Sequence, residues 1–116
     1  MSLYEKTVKL SKLIVRAKAI YEAHRESKEE ADFFGTVKPF ADEVDAAADL
    51  WEQEALLFLQ EHPQKYVHAA QIVQAADNAR RVGAYAHFFD TGKAKFIQSA
   101  DSALYVLESL DNCIKE

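Results

Sequence analysis

Between the two prolines of this chain, Pro39 and Pro63, apolar side chains recur at Phe40, Val44, Ala47, Trp51, Ala55 and Phe58. Every step in that series is three or four residues, which puts all six on one face of an α-helix. A strand cannot hold this period, because its faces alternate at every second residue. The prolines suit the two ends. Pro39 has no N–H to leave unpaired in a first helical turn, and Pro63 disfavours helical backbone at His62, so the helix should close near Glu61. Leu50, Leu56, Leu57 and Leu59 widen the stripe, which implies contact with two neighbours. Trp51 sits mid-helix on the core side.

The stretch just upstream, D-F-F-G-T-V-K, reads as a short helical piece over residues 32–38 capped by Asp32, or as a kink at Pro39. Phe33 and Phe34 are too apolar for an exposed loop and are expected to plug this end of the core. Gly35 beside them argues against regular helix there.

The rest of the chain repeats the helical period. A first helix is expected over about residues 2–25, with Leu3, Leu10, Ile14, Ala17 and Tyr21 inward, and Leu13 and Ile20 beside them. Lys6, Lys9, Lys12 and Arg16 form a basic stripe at the same spacing, read as a solvated face paired with acids of the second helix. A third helix should run from His68 or Ala69 to Phe89, with Ile72, Ala76, Ala79, Gly83 and Ala86 inward. Gly83 costs about 1 kcal/mol relative to alanine in a helix, so a close packing contact is expected there. D-T-G-K then turns the chain into a fourth helix, to about Ile114, with Phe96, Ala100, Ala103 and Leu107 inward. The short turn makes the last two helices antiparallel neighbours. The fold expected is all-α: an up-down-up-down antiparallel four-helix bundle, one domain over residues 1–116, with the extra helical piece or kink before the second helix.

Charge and composition narrow the function classes. Net charge is −5, and the 26 residues from Pro39 to Gln64 hold seven acids and no lysine or arginine. That balance speaks against nucleic-acid partners and anionic membrane surfaces. A single cysteine, Cys113, admits no internal disulfide, as in a reducing compartment. The opening residues lack the pattern of a signal peptide, and no apolar run nears the ~20 residues of a membrane span. A cytoplasmic protein is expected, monomeric or a weak homodimer, with Leu3, Leu13 and Leu56 as exposed apolar residues available to an interface.

The sequence lacks the usual catalytic constellations. The dimetal chemistry of four-helix bundles needs Glu-x-x-His on two helices. Here the residues three before His24, His62, His68 and His87 are Tyr21, Leu59, Lys65 and Ala84. No phosphate-cradling glycine loop, dinucleotide fingerprint or nucleophile elbow occurs. No catalytic residues and no cofactor are therefore assigned. A weak metal alternative joins His62, His68 and Cys113, which an up-down bundle brings to one end. The turn Lys65-Tyr66-Val67-His68 is the most specific local feature. Tyr66 and Val67 read as an apolar lid over that end, and Lys65, Tyr66 and His68 as a small recognition surface.

Taken together, Asp32-Phe33-Phe34, Thr36, Lys38-Pro39, the placement of Trp51 twelve residues after Pro39, and Lys65-Tyr66-Val67-His68 resemble the YppE-like family of small bacterial proteins. The resemblance runs from Asp32 into the fourth helix. It implies an all-α four-helix bundle in the cytoplasm and supplies no activity or catalytic residues. The candidate binding residues are Lys65, Tyr66, His68, Phe33, Phe34, Lys38 and Trp51. The function expected is a non-enzymatic protein-interaction module with an unidentified protein partner. The alternative is a small-ligand or metal-binding bundle, with a cavity lined by Phe33, Phe34, Tyr66 and the small residues of the third helix.

Overall fold

A computed structural model describes the chain except Met1, Phe89, Thr91 and Glu116. Four helices follow one another: α1 Leu3–Ser27, α2 Lys38–Glu61, α3 Ala69–Tyr85 and α4 Lys93–Lys115. A single π-helical turn, Phe33–Val37, runs straight into α2. No strand occurs among the described residues.

Contacts between named residues set the topology. Trp51, midway along α2, reaches Thr7, early in α1, while Arg16, midway along α1, lies over Phe40 at the start of α2. Tyr21 near the end of α1 stacks on Phe96 near the start of α4, with ring centroids 4.0 Å apart. Gly83 late in α3 meets Val44 early in α2. Sequential helices therefore run antiparallel, and α1 also packs against α4 to close the ring.

The helix ends follow ordinary capping chemistry. Ser2 and Glu5 form a reciprocal box: the Ser2 hydroxyl accepts from the Glu5 amide at 3.1 Å, and the Glu5 carboxylate accepts from the Ser2 amide at 3.2 Å. Lys28 ends α1 in the left-handed region, φ 58°, its amide donating to the His24 carbonyl at 2.7 Å. Pro39 lies in the first turn of α2, and α2 stops at Glu61 ahead of Pro63, as expected. The third helix is shorter than its pattern suggests. It ends at Tyr85, where the Phe88 amide turns back to the Tyr85 carbonyl at 3.0 Å. Phe89, the expected end, lies outside the described residues.

One apolar core joins all four helices. The expected inner faces are inside: Leu10, Ile14, Ala17 and Tyr21; Val44, Ala47, Trp51 and Ala55; Ile72, Ala76, Ala79, Gly83 and Ala86; Phe96, Ala100, Ala103 and Leu107. Gly83 has the close contact anticipated for it. A Cβ there would stand 2.7 Å from Val44 Cβ, so any larger residue would push α2 and α3 apart. The basic stripe also pairs in part with α2: Lys6 with Glu54 at 3.2 Å and Arg16 with Glu43 at 3.9 Å. Between α2 and α3, the Arg80 guanidinium bonds Asp49, Glu52 and Asp77. Burial alone would weaken its hold on the proton, but the bonds to Glu52 and Asp49 outweigh that and raise its pKa above the usual arginine value.

Several margins of the stripes were misplaced. Leu13 is buried and Leu3 and Leu56 pack partly onto the core, in keeping with their places on the stripes and not as exposed interface residues. Leu50 and Leu57 do not widen the inner face of α2: both are about half exposed. They lie seven residues apart on one flank, a helical turn's fraction away from the row of Val44, Trp51 and Ala55.

Candidate functional site

The first connection, between α1 and α2, is where the chain departs from regular helix. Asp32 is extended and its carboxylate accepts from the Gly35 amide at 2.7 Å. Its carbonyl accepts from both Thr36 (2.9 Å) and Val37 (3.0 Å). The Lys38 amide then reaches back five residues to the Phe33 carbonyl, the bond that defines a π turn. The cap expected at Asp32 is therefore present, on a turn wider than an α-helix. A side chain at Gly35 would collide with the Asp32 carboxylate and displace that cap.

The wider turn decides where its side chains point. In an α-helix Phe33 and Val37, four residues apart, would share a face. Here Val37 is buried while Phe33 is 51% and Phe34 78% exposed. The expectation that Phe33 and Phe34 plug the core is overturned. They meet edge to face, centroids 5.1 Å apart, and project into solvent.

The plug beneath them is Phe40 with a histidine. His87 is 6% exposed, with its ring edge-on to Phe40 at 5.7 Å and to His24 at 5.3 Å. The His24 ring donates from Nδ1 to the Glu29 carbonyl at 2.7 Å, the carbonyl being able only to accept. His87 Nδ1 has no hydrogen-bond partner among the described residues. Burial pushes the pKa of His87 down, and the nearby His24 and Arg16 add to that. The ring is held neutral, with an unused nitrogen. His87 borders two surface grooves. One, about 270 Å³, is formed with Glu30, Ala31, Val37, Phe88 and Asp90. The other, about 250 Å³, includes Arg16, Thr36, Phe40 and Glu43. Phe88 and Tyr85, both partly exposed, form a second edge-to-face pair beside the first groove.

Sequence reasoning passed over His87. A signal was present: Ala79, Gly83 and His87 stand four residues apart and extend the inner row of α3.

The remaining candidates divide between the two ends and the shaft. Lys38 is exposed beside the π turn and pairs with Asp42 at 2.9 Å. Trp51 is wholly buried and offers no surface to a partner. Its Nε1 donates to Thr7 Oγ1 at 3.1 Å, and that hydroxyl donates to the Leu3 carbonyl at 2.8 Å, so a polar relay links α2 to the start of α1. At the far end, Val67 is buried and serves as the lid, but Tyr66 is 77% exposed and does not. The Lys65 ammonium lies 5.3 Å from the centre of the Tyr66 ring. His68 enters α3 with its amide donating to the Gln71 side chain at 2.7 Å.

Two assemblies expected as alternatives do not form. Phe33 and Phe34 lie at the start of α2 and Tyr66 beyond its end, roughly 35 Å away at 1.5 Å per residue, while Ala76, Ala79 and Gly83 are sealed in the core. They share no cavity. His62, His68 and Cys113 are not gathered: among the described residues no three His, Cys, Asp or Glu side chains are grouped to hold a metal.

Residues 7–114 match the model of a bacterial domain of unknown function, DUF1798. The chain belongs to the DUF1798 family. Its relatives include the uncharacterised protein YppE of Bacillus subtilis, 28% identical over 94% of this chain and 89% of YppE. The crystal structure of YppE superposes with a TM-score of 0.90 over 95% of this chain and 89% of that one. A Listeria innocua protein of unknown function, 25% identical, gives 0.94 over 99% and 92%. The family resemblance read from the central motifs is thus shown, and with it the helical-bundle fold. YppE is uncharacterised and the Listeria protein is of unknown function. No helix among the described residues is long and apolar enough to cross a membrane.

Proposed function

We propose that this DUF1798 protein is a non-enzymatic cytoplasmic interaction module, one bundle domain that docks another protein through its π-turn end. One observation carries the reading: Phe33 and Phe34 are held out in solvent on a turn closed by hydrogen bonds to Asp32 and Phe33. Exposed aromatic pairs on a rigid support lose little entropy on docking and are the kind of anchor that dominates interface energies. Phe88 and Tyr85 extend the apolar edge. Glu30 and Asp90 flank the adjoining groove, so the partner surface that fits is apolar at its centre with basic residues at its rim. The bare Tyr66 at the far end is a smaller second contact on the same reading.

The test is affinity capture with crosslinking from native lysate, using the wild-type chain beside a Phe33→Ser/Phe34→Ser variant. A stoichiometric partner held by the wild type and lost from the folded variant is expected. Equal recovery with both chains, or background alone with both, would defeat the proposal.

A further inference from the structure

A second surface, which meets the docking edge at Tyr85, holds a groove of small-molecule size. Where α3 ends and α4 begins, the two helices leave a groove of about 420 Å³ between Arg81, Val82, Tyr85, Lys95, Phe96 and Ser99. It shares no lining residue with the grooves at His87. Its two cations are conspicuous by contrast with their neighbours. Arg80 is committed to three carboxylates and Lys93 to Glu22, but among the described residues neither Arg81 nor Lys95 joins an ion pair. Both are exposed and come from facing helices, in a chain of net charge −5.

The groove also holds a hydroxyl with no partner among the described residues of the protein. Ser99 is 7% exposed, and its hydroxyl makes no hydrogen bond among the described residues. A helical serine or threonine commonly returns its hydroxyl to the carbonyl four residues back, as Ser109 does to Tyr105 at 2.9 Å and Thr7 to Leu3. Ser99 does not, and its hydroxyl is not sealed from water, so it stays open to the groove that Ser99 lines. Val82 and Phe96 give an apolar floor and Tyr85 a half-exposed aromatic wall.

We propose that this groove binds a small organic oxyanion, a phosphate or carboxylate head on a flat apolar body. The Arg81 fork and the Lys95 ammonium take the charge, the Ser99 hydroxyl donates to an oxygen, and the body lies against Tyr85 and Phe96.

The experiment titrates isotope-labelled full-length protein with phenyl phosphate and, separately, benzoate, following amide resonances at about 50 mM ionic strength to limit screening. Saturable shifts confined to residues 81–85 and 95–99 are expected. Arg81→Gln and Lys95→Gln should each weaken binding about tenfold, the scale of one charge-assisted contact. Both positions are exposed, so the variants keep the fold, which their spectra verify. Lys9→Gln, an exposed lysine of α1, should leave binding unchanged. Tighter phenyl phosphate assigns a phosphate head, and tighter benzoate a carboxylate. No saturable shift with either probe by about 10 mM, where even a millimolar site fills, or equal weakening by Lys9→Gln, would overturn the proposal.

Discussion

The two ends of the bundle are made from similar residues and are closed in opposite ways. At the far end, the Pro63 turn folds back and drops Val67 into the core, while Gln71 satisfies the backbone at the entry to α3. At the π-turn end, Val37 and Phe40 go in with a neutral histidine, and the two phenylalanines that seemed made for the purpose stay outside. Each end also leaves aromatic surface bare: Tyr66 at one, Phe33 and Phe34 at the other. Side-chain hydrophobicity therefore does not say which residue seals a helix end. The backbone geometry of the connection does, by choosing which side chain is carried over the core.

That contrast can be tested, beginning where the effect is largest. Phe40→Ala should cost about 3–5 kcal/mol in urea unfolding, and Val67→Ala about 2 kcal/mol, since both remove buried seals of different size. If Phe33→Ala cost as much as Phe40→Ala, the assignment of the upper seal would be reversed. Next in size, Asp32→Ala should cost about 1 kcal/mol through loss of the cap on Gly35, with the added signature of faster amide exchange at Gly35 through Val37.

The buried histidine makes the ends differ in pH response. Because the folded-state pKa of His87 lies below its ordinary value, the unfolded chain takes up a proton first as pH falls. Its contribution to stability is whole above the ordinary histidine range, near pH 6.5, and is lost as pH falls from there through the depressed folded value. His87→Gln should flatten the fall in urea midpoint between about pH 7.5 and pH 5.5. His68→Gln, at an exposed position of the other end, should leave it intact; equal flattening by both would show that His87 is not the group responsible.

The smallest effects concern the bare aromatics. Phe34→Ser and Tyr66→Ser should each shift stability by no more than about 0.5 kcal/mol, as for surface positions generally. A loss of several times that at Phe34 would mean the residue is packed in solution and not displayed.

These same residues mark how far the sequence could be read. The helices, their order, the place of Pro39 in the first turn of α2 and that helix's stop before Pro63 were legible, because periodicity and proline act locally. The close approach at Gly83 was legible for a similar reason: a residue that weakens a helix needs a partner that requires it. Pairing of Lys6 and Arg16 with α2 followed from charge patterning. The candidate site was much less legible. Lys38 is exposed beside the turn, but Phe33 and Phe34 stand outside the core they were expected to plug, Trp51 is core, and His87 was hidden in plain continuation of the α3 row.

By itself, the sequence determined that four amphipathic helices would form and which stripe of each would turn inward, since helical period depends only on neighbours along the chain. Tertiary structure alone decided that an added backbone residue in the turn after Asp32 faces Phe33 and Phe34 outward, that His87 fills the space below, and that Arg81 and Lys95 line one groove with no ion-pair partner among the described residues. Those outcomes depend on how the helices are rotated and spaced against each other, and such distances between remote residues leave no local pattern in the chain.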